Sequence, residues 1–205
     1  MKLKLDLHVH TEKSADAHTR LEDIVPSIRR AGLDGIAITD HNTLSAPVIE
    51  EALLIPGIEV SSREGHIIGL GVRNPIPRGL SAEDTIRGIK QEGGVSIVAH
   101  PYDLYRSAIN PEKLTMLPDA LEVINSASIF HSITWKKARA FAKSRNLSQT
   151  AGSDSHIPET IGKAFTTIDC EERTPESVLD AIRKGSTVPE GRPNNLSDRL
   201  RKLAR

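Results

Sequence analysis

The chain has 205 residues, a length that suits one compact domain with a substantial core. Lys plus Arg and Asp plus Glu number 27 each and only 3% of residues are aromatic, so a nucleic-acid partner is disfavoured. The single cysteine, Cys170, excludes an intramolecular disulfide framework, and with no signal-peptide layout and no long apolar run we expect a cytoplasmic protein without a membrane partner.

Short apolar runs alternate with amphipathic stretches along the chain, a pattern typical of parallel β/α barrels and sheets. The predicted strands cover residues 3–8, 35–39, 54–61, 66–72, 95–99, 120–124, 148–151 and 163–168. The predicted helices cover residues 20–31, 81–91, 133–144 and 174–184. About seven strands with intervening helices favour an α/β fold with a TIM-like barrel, and an open doubly wound sheet is the competing arrangement. In both, function lies at the carboxyl ends of the strands.

The last segment, 196–205, is predicted to form an amphipathic helix. Leu196, Leu200 and Leu203 share one helical face. We interpret the basic residues of this segment as a solvent-exposed face rather than a nucleic-acid patch. These basic residues are Arg199, Arg201, Lys202 and Arg205.

Histidines follow several predicted strands. The segment 6–11 reads DLHVHT, and because strand side chains alternate, His8 and His10 point the same way, about 7 Å apart. Two such imidazoles can chelate one divalent cation. Other strand ends carry further imidazoles and acids, namely Asp40 and His41, Glu59, His100, and Asp154 and His156. Mixed Asp, Glu and His ligands suit Zn²⁺, Mn²⁺ or Fe, and the lack of a nearby cysteine argues against a structural zinc site.

These motifs resemble, in order, those of the polymerase-and-histidinol-phosphatase (PHP) family. They are the segments DLHVHT (6–11), ITDH (38–41), GIEVS (57–61), AHPY (99–102) and GSDSH (152–156), and the later IGKA (161–164) is also similar. The resemblance implies a distorted (β/α)₇ TIM-like barrel as a single domain over residues 1–190, with a helical tail, 191–205, in the same domain. It also implies two or three divalent metal ions, Zn, Mn or Fe, at the carboxyl ends of the strands.

The resemblance further implies how the ligands divide. One metal ion would be held by His8, His10, Glu59 and Asp154. Glu59 would bridge to a second ion, which His100 and one further histidine would also hold. A third ion would be held by Asp16, His41 and His156. Asp16 matches a Ser-x-Asp-Gly element of the family in which Ala17 replaces the glycine here, so the local turn is expected to differ.

The further histidine has two candidates. His66 matches a family histidine that follows the glutamate, and His131 lies after the strand that carries Glu122. We favour His66 and interpret His131 as an exposed loop residue. His18 is interpreted as a surface residue.

Some neighbouring residues have two readings each. Asp40 is either an acid that orients a ligand imidazole or a cap for the segment after it, and Asp6 is a candidate for the first of these roles. Arg106 is either a clamp for a substrate phosphate or a solvent-exposed arginine. Arg63 and Lys163 are weaker candidates for the clamp.

The sequence therefore predicts a metal-dependent phosphoric ester hydrolase. Its substrate would be a small phosphomonoester or nucleotide, hydrolysed by metal-activated water at a di- or trinuclear site. The predicted catalytic residues are Glu59, Asp154, His156 and Arg106. The alternatives are a nuclease or exonuclease acting on DNA or RNA ends, which the neutral charge disfavours, and a non-catalytic metal-binding module, which the intact ligand set disfavours.

Overall fold

A computed structural model describes residues 1–204, in which nine strands form one sheet. The strands are Lys2–Val9 (β1), Gly35–Ile38 (β2), Leu53–Ser61 (β3), His66–Leu70 (β4), Val95–Val98 (β5), Ala120–Asn125 (β6), Ser148–Gly152 (β7), Ala164–Asp169 (β8) and Thr187–Gly191 (β9). The helices are Ile24–Ala31 (α1), Ala82–Gln91 (α2), His131–Ser144 (α3), Pro175–Arg183 (α4) and Leu196–Leu203 (α5). The order across the sheet is β7-β6-β5-β4-β3-β2-β1-β8-β9.

The sheet curls until β7 approaches β1 and β8, so it is nearly a closed barrel. Beyond the end of β7, the N–H of His10 donates to the Ser155 carbonyl at 2.8 Å. The Thr166 hydroxyl of β8 accepts from the Ala151 N–H at 2.8 Å and donates to the Ala151 carbonyl at 3.0 Å. The predicted α/β barrel-like fold is confirmed.

The strand directions differ from an all-parallel barrel. β4 runs antiparallel to both β3 and β5, and β8 runs antiparallel to β1 and β9. Strand β9 was not predicted, because its sequence TVPEG contains proline and glycine, which are depleted in strands. It lies at the end of the strand order, where a proline is tolerated because no ladder bond is lost on the open side.

The predicted helix boundaries follow from local capping. Helix α1 ends at Gly32, whose φ of 65° is in the left-handed region. The Ser81 side chain accepts from the Asp84 N–H at the start of α2, and Thr174 accepts from the Ser177 N–H at the start of α4. Across residues 1–204, no helix combines the length and the apolar character needed to cross a bilayer.

An apolar core supports the strand ends from below. Leu5 and Leu7 of β1 pack in one cluster with Ile68, Ile97 and, from α4, Ile182, and each is at most 2% exposed. Full burial of such a side chain stabilises the fold by about 1.5–3 kcal/mol. The pairing of β1 with β2 shifts register between Asp6 and Val9, and bulges of this kind re-aim side chains. The polar carboxyl end of β1 therefore lies next to a closely packed apolar core.

Helix α5 turns its polar face inward. Leu196, Leu200 and Leu203 are 71%, 56% and 83% exposed, whereas Arg199 and Lys202 are half-buried. The prediction of a solvent-exposed basic face is therefore wrong for these two residues. It holds for the exposed side chain of Arg201, and Arg205 lies outside the described residues. The anchor of the helix is Asp198, a buried carboxylate that pairs with Lys163.

Candidate metal centre

Glu59, on β3, lies among imidazoles from several other strand ends. The distances from its oxygens to imidazole nitrogens are 3.1 Å (His66), 3.2 Å (His100) and 3.3 Å (His8) for Oε1, and 2.9 Å (His41) and 3.5 Å (His10) for Oε2. The Glu59 side chain is only 1% exposed, so water does not screen its charge. A carboxylate with imidazoles around both oxygens can bridge two cations, whereas one imidazole nitrogen ligates one.

His8 of β1 and His10, which directly follows β1, both face Asp154, which follows β7. Their Nε2 atoms lie 3.7 Å and 3.5 Å from Asp154 Oδ1, and their ring centroids are 5.1 Å apart. A bridge between Val9 and Ser155 holds these two segments side by side. His8, His10, Glu59 and Asp154 are thus brought together, as the prediction of one four-ligand site requires.

Asp16, His41 and His156 form the outer part of the cluster. Asp16 Oδ2 lies 3.0 Å from His156 Nε2, and Asp16 Oδ1 lies 3.6 Å from His41 Nε2. Ligand atoms of His10, His41 and His156 also lie within 4.8 Å of one another, as do those of His41, Glu59 and His66. His41 therefore stands between the predicted second and third ligand sets, and the structure does not separate the sets sharply.

The donor set fits divalent transition-metal ions. Among residues 1–204, His8 Nε2 and His10 Nε2 are buried without a hydrogen-bond partner, a condition that costs about 1–3 kcal/mol per group. Their distances to the nearest Glu59 and Asp154 oxygens are 3.3–3.7 Å. Ligand atoms around a tetrahedral zinc ion, with bonds of about 2.0–2.1 Å, lie about 3.4 Å apart. The cluster thus has the dimensions of a coordination shell.

Burial and mutual attraction set the charges in the cluster. Burial alone would raise the pKa of Glu59 and Asp154, but neighbouring imidazoles and, for Asp154, the Arg106 guanidinium hold both pKa values well below the usual range. Burial lowers the pKa of His10 to about 3, whereas for His8 the nearby carboxylates outweigh burial and raise the pKa. The lowered pKa of His10 favours the neutral imidazole that ligates a metal ion, whereas the raised pKa of His8 means that a metal ion would compete with a proton there.

His66, and not His131, reaches the cluster. His66 follows the turn between β3 and β4, which pair antiparallel and place it beside Glu59. His131 is the first residue of α3, half-buried, with its ring 5.2 Å from that of Trp135, so it is not an exposed loop residue. His18 is half-buried and its backbone N–H donates to the His156 carbonyl at 2.7 Å. The ligand role of His66 stays a prediction.

Asp40 orients an imidazole indirectly. Its carboxylate accepts from the Thr11 N–H at 2.7 Å, the Ser14 hydroxyl at 2.8 Å and the Ser45 hydroxyl at 2.7 Å. The Ser14 oxygen in turn lies 3.2 Å from His10 Nδ1, which leaves Nε2 of His10 for the cluster. Asp40 therefore organises the loop after β1 and, through Ser14, holds the His10 ring.

Asp6 supports the backbone rather than an imidazole. It accepts N–H groups from His8 at 3.3 Å, Ser153 at 2.9 Å and Gly162 at 2.8 Å. Burial raises its pKa to about 6, although these hydrogen bonds act in the opposite direction. Asp6 thus ties β1 to the segments on both sides of the barrel closure.

Glu122, on β6, supports the cluster, a role that the sequence did not predict. Its Oε1 lies 3.0 Å from His8 Nδ1, and its Oε2 accepts from the His100 N–H at 2.7 Å and from Asn125 Nδ2 at 2.9 Å. Gly152 makes room for this contact, because a Cβ there would lie 2.3 Å from the His8 Cβ. The available signal was a glutamate inside an otherwise mostly apolar strand, because a charged residue is seldom fully buried without a partner.

Replacing Glu122 with Gln is expected to weaken metal binding at His8. A Gln oxygen can replace Oε2 and keep the two donors there, but its NH₂ group then faces His8 Nδ1. The ring must accept at Nδ1 and carry its proton on Nε2, the atom directed at the cluster. Loss of such a supporting partner typically costs about 10- to 100-fold in metal affinity or activity, and a competitive chelator titration would measure the affinity.

The matched control for this substitution is Glu190→Gln, which changes an exposed glutamate on β9. It should leave the metal affinity unchanged. If Glu122→Gln bound metal as tightly as the unaltered protein, the tautomer of His8 would not depend on Glu122.

Two cluster residues have strained backbone conformations. His100 has a φ of 31° and Asp154 a φ of 52°, in the region that residues other than glycine seldom adopt. Such conformations cost about 1–3 kcal/mol each and concentrate at functional sites. The strain at both residues agrees with a site in which orientation outweighs stability.

Cationic side chains border the cluster. The Arg106 guanidinium contacts the Asp154 carboxylate and is only 24% exposed, so Arg106 is not the solvent-exposed arginine of the alternative reading. Lys202 Nζ, on α5, lies 3.5 Å from Asp16 Oδ2. The other clamp candidates are engaged elsewhere: Arg63 donates to the Gly79 carbonyl and Lys163 pairs with Asp198.

Sequence comparison agrees with this architecture. A model of the PHP domain matches residues 6–119, and a model described as PHP-associated matches residues 134–187. The first of these covers more than half of the chain. The protein therefore belongs to the PHP domain family.

Two relatives illustrate the sequence similarity. An uncharacterized protein of Methanocaldococcus jannaschii is 34% identical over 141 residues, which cover 60% of this chain and 82% of that protein. A protein named probable phosphatase from Syntrophotalea carbinolica is 26% identical over 223 residues, covering 88% of this chain and 92% of that protein. Family membership and such relatives support a phosphoesterase function.

Solved structures share the fold. A two-domain protein from Bacteroides vulgatus, described as containing a PHP-like metal-dependent phosphoesterase, matches all of this chain and 69% of its own with a TM-score of 0.70 at 20% identity. PsfC from Pseudomonas syringae matches with a TM-score of 0.72 at 16% identity, over 99% of this chain and 96% of its own. The lesion-specific endonuclease EndoQ from Pyrococcus furiosus matches with a TM-score of 0.70 at 16% identity, over 93% and 59%. At these identities the likeness establishes the fold alone.

Proposed function

We propose that the protein hydrolyses a small phosphomonoester or nucleotide at a di- or trinuclear metal centre. The observation that carries the proposal is the position of Glu59, whose two oxygens face different imidazoles in a buried cluster of ligand type. Unpartnered imidazole nitrogens at coordination spacing support the metal part, and the adjacent cations Arg106 and Lys202 support an anionic substrate.

The proposed ligand sets are those that the family resemblance implies. They are His8, His10, Glu59 and Asp154 for one ion, Glu59, His66 and His100 for a second, and Asp16, His41 and His156 for a third. Divalent ions there would supply Lewis acidity toward water and the phosphoryl oxygens. The identity proposed for them is Zn, Mn or Fe, since the donors are imidazole and carboxylate without thiolate.

Arg106 is the proposed phosphate ligand among the protein side chains. Its guanidinium already contacts Asp154, and its Nε is buried without a hydrogen-bond partner in the described part of the chain. A planar guanidinium with a free N–H can bind two phosphoryl oxygens at once. Arg106 would thus orient the ester beside Asp154 and His156. Water would form the new P–O bond as the P–O bond to the leaving group breaks, and the proton that the water loses would end on the leaving oxygen.

The experiment that tests the proposal combines metal analysis with a substrate panel. Protein purified without chelators should contain two or three transition-metal ions per chain. It should release phosphate from at least one small phosphomonoester or nucleotide, lose this activity in a chelator and regain it with Mn²⁺ or Zn²⁺. A metal content below one per chain after reconstitution would contradict a multinuclear centre.

The panel also tests the nuclease alternative. A 5′-phosphorylated oligonucleotide belongs in it, assayed at low and at high salt, since binding of a polyanionic strand weakens steeply with salt. The neutral net charge and the 3% aromatic content disfavour a nucleic-acid substrate. Oligonucleotide cleavage without turnover of any small ester would overturn the small-substrate part of the proposal.

We also propose that residues 1–190 and the helical tail 191–205 act as one domain. The contacts that support this are the pairs of Lys163 with Asp198 and of Asp16 with Lys202, each joining the barrel to α5. We propose, in addition, that the protein is cytoplasmic.

A further inference from the structure

A cavity adjoins the metal-ligand cluster on the side of α5. It has a volume of about 290 Å³, and Arg106, Asp154 and His156 form its boundary with the cluster. Arg106, His156 and Lys202 line both this cavity and the cleft above Glu59. An ester bound with its phosphate at the cluster can therefore extend its leaving group into this space, which we call the α5 cavity.

The orientation of α5 gives the α5 cavity its polar wall. The helix leaves Leu196 and Leu200 exposed and turns Arg199 and Lys202 inward, the reverse of the usual arrangement of an amphipathic helix. Exposing leucines while half-burying cations is unfavourable in itself. Such an arrangement is expected where the inward cations meet an anion that comes and goes.

One of the two cations of this wall, Lys202, lies 3.5 Å from Asp16 Oδ2, whereas the charge of Arg199 has no such partner in residues 1–204. The carboxylate of Asp198 is engaged by Lys163 and by the Asn195 N–H. Arg199 donates to the Ser128 carbonyl at 3.2 Å, and no carboxylate of residues 1–204 lies within ion-pair distance of it.

We propose that the α5 cavity selects substrates whose leaving group carries a second anionic group. Arg199 is the main ligand of this second anionic group, and Lys202 lies at the entrance of the cavity. Ala127 and Ile157, both buried, line the same cavity and suit a small apolar body between the two anions. This inference rests on the proposed phosphoesterase function, because it places the reacting phosphate at the metal cluster.

The test compares two probes that differ by one carboxylate, phenyl phosphate and 4-(carboxymethyl)phenyl phosphate. The methylene group keeps the reactivity of the two phenol leaving groups similar. Affinities are measured by calorimetry with the metal-loaded protein, and kcat/KM is measured separately. The protein should bind the carboxylated ester at least about tenfold more tightly, as one charge-assisted hydrogen bond in a half-buried site provides.

Substitutions locate the source of this preference. In Arg199→Gln the ratio of the two affinities should fall to about threefold or less, and Lys202→Met should lower it too. Arg201→Gln, an exposed neighbour on the same helix, is the matched control and should retain the ratio. Metal content is measured for each variant, because Lys202 lies near Asp16.

The outcomes separate the two proposals. Equal affinity of the unaltered protein for both esters, binding of neither ester, or an unchanged ratio in Arg199→Gln would overturn the role of the α5 cavity. Preferential binding that depends on Arg199, without hydrolysis of either ester or of the substrate panel, would support the cavity and overturn the phosphoesterase proposal.

Discussion

The substitution Glu59→Gln should remove at least one metal ion and most of the turnover while the barrel stays folded. Gln keeps the volume of the side chain but replaces one oxygen with an NH₂ group, which cannot ligate a cation. It also removes the negative charge that lies between His66 and His100 on one oxygen and His41 on the other. Two cations held close together would then repel each other with less compensation.

The expected size of this effect follows from comparison with supporting residues. Removing a hydrogen-bond partner of a ligand typically costs about 10- to 100-fold, so removing a bridging ligand should cost at least about 100-fold in turnover. His66→Ala should be milder, because His66 is proposed to hold only the second ion. Elemental analysis and steady-state rates with the best ester of the panel measure both.

The matched control for Glu59 is Glu51→Gln, at an exposed position before the same strand. It should retain both metal content and rate. Full metal content together with an unchanged rate in Glu59→Gln would show that Glu59 is not the bridge, and the ligand division proposed here would fail at its central residue.

The sequence predicted the barrel because burial imposes a pattern on it. Strands β5 and β6 are mostly apolar, and β1 alternates polar with apolar residues; the boundaries of all three were predicted to within about two residues. Strand direction leaves no such pattern, so the antiparallel setting of β4 could not be read from it. Strand β9 was missed for a related reason, since its pairing with β8, and not the apolarity of TVPEG, keeps it extended.

The convergence of the candidate ligands was predictable for a geometric reason. Parallel strands end at the same edge of a sheet, so acids and histidines that follow them meet in space. His8, His100 and Asp154 are far apart in sequence and come together in this way. His66 was less certain because it begins a strand, and only the antiparallel pairing of β3 with β4 brings it to Glu59.

Residues that act from outside the ligand set left weaker signals. Glu122 sits inside a strand rather than after it, and its contact with His8 depends on how closely β6, β7 and β1 approach each other. Arg199 and Lys202 lie on a helix whose periodicity predicted the opposite orientation. Periodicity reports the average preference for burial, and a helix that binds at a functional site need not follow it.

The substitutions His8→Ala and His156→Ala should each abolish hydrolysis without unfolding the protein. His8 is fully buried with its Nε2 directed at Glu59 and Asp154, and His156 is 3% exposed with its Nε2 3.0 Å from Asp16. Each substitution removes one proposed ligand from a different ion. We therefore expect metal content to fall in both variants, and phosphate release to fall below detection.

The fold should survive because the energetic loss is small beside the stability of a domain. His8→Ala leaves the Glu122 Oε1 atom without its 3.0 Å partner, and an unsatisfied buried group costs about 1–3 kcal/mol. Typical domains are stable by about 5–15 kcal/mol, so the variant remains mostly folded at room temperature. Its far-UV circular dichroism spectrum should match that of the unaltered protein, with a lower melting temperature.

His18→Ala is the matched control for both substitutions. His18 contacts His156 through its backbone N–H, which the substitution preserves, so metal content and rate should be nearly unchanged. Loss of the circular dichroism spectrum together with activity in His8→Ala or His156→Ala would mean that these histidines hold the barrel together. An active, metal-replete His8→Ala variant would exclude His8 from the ligand set.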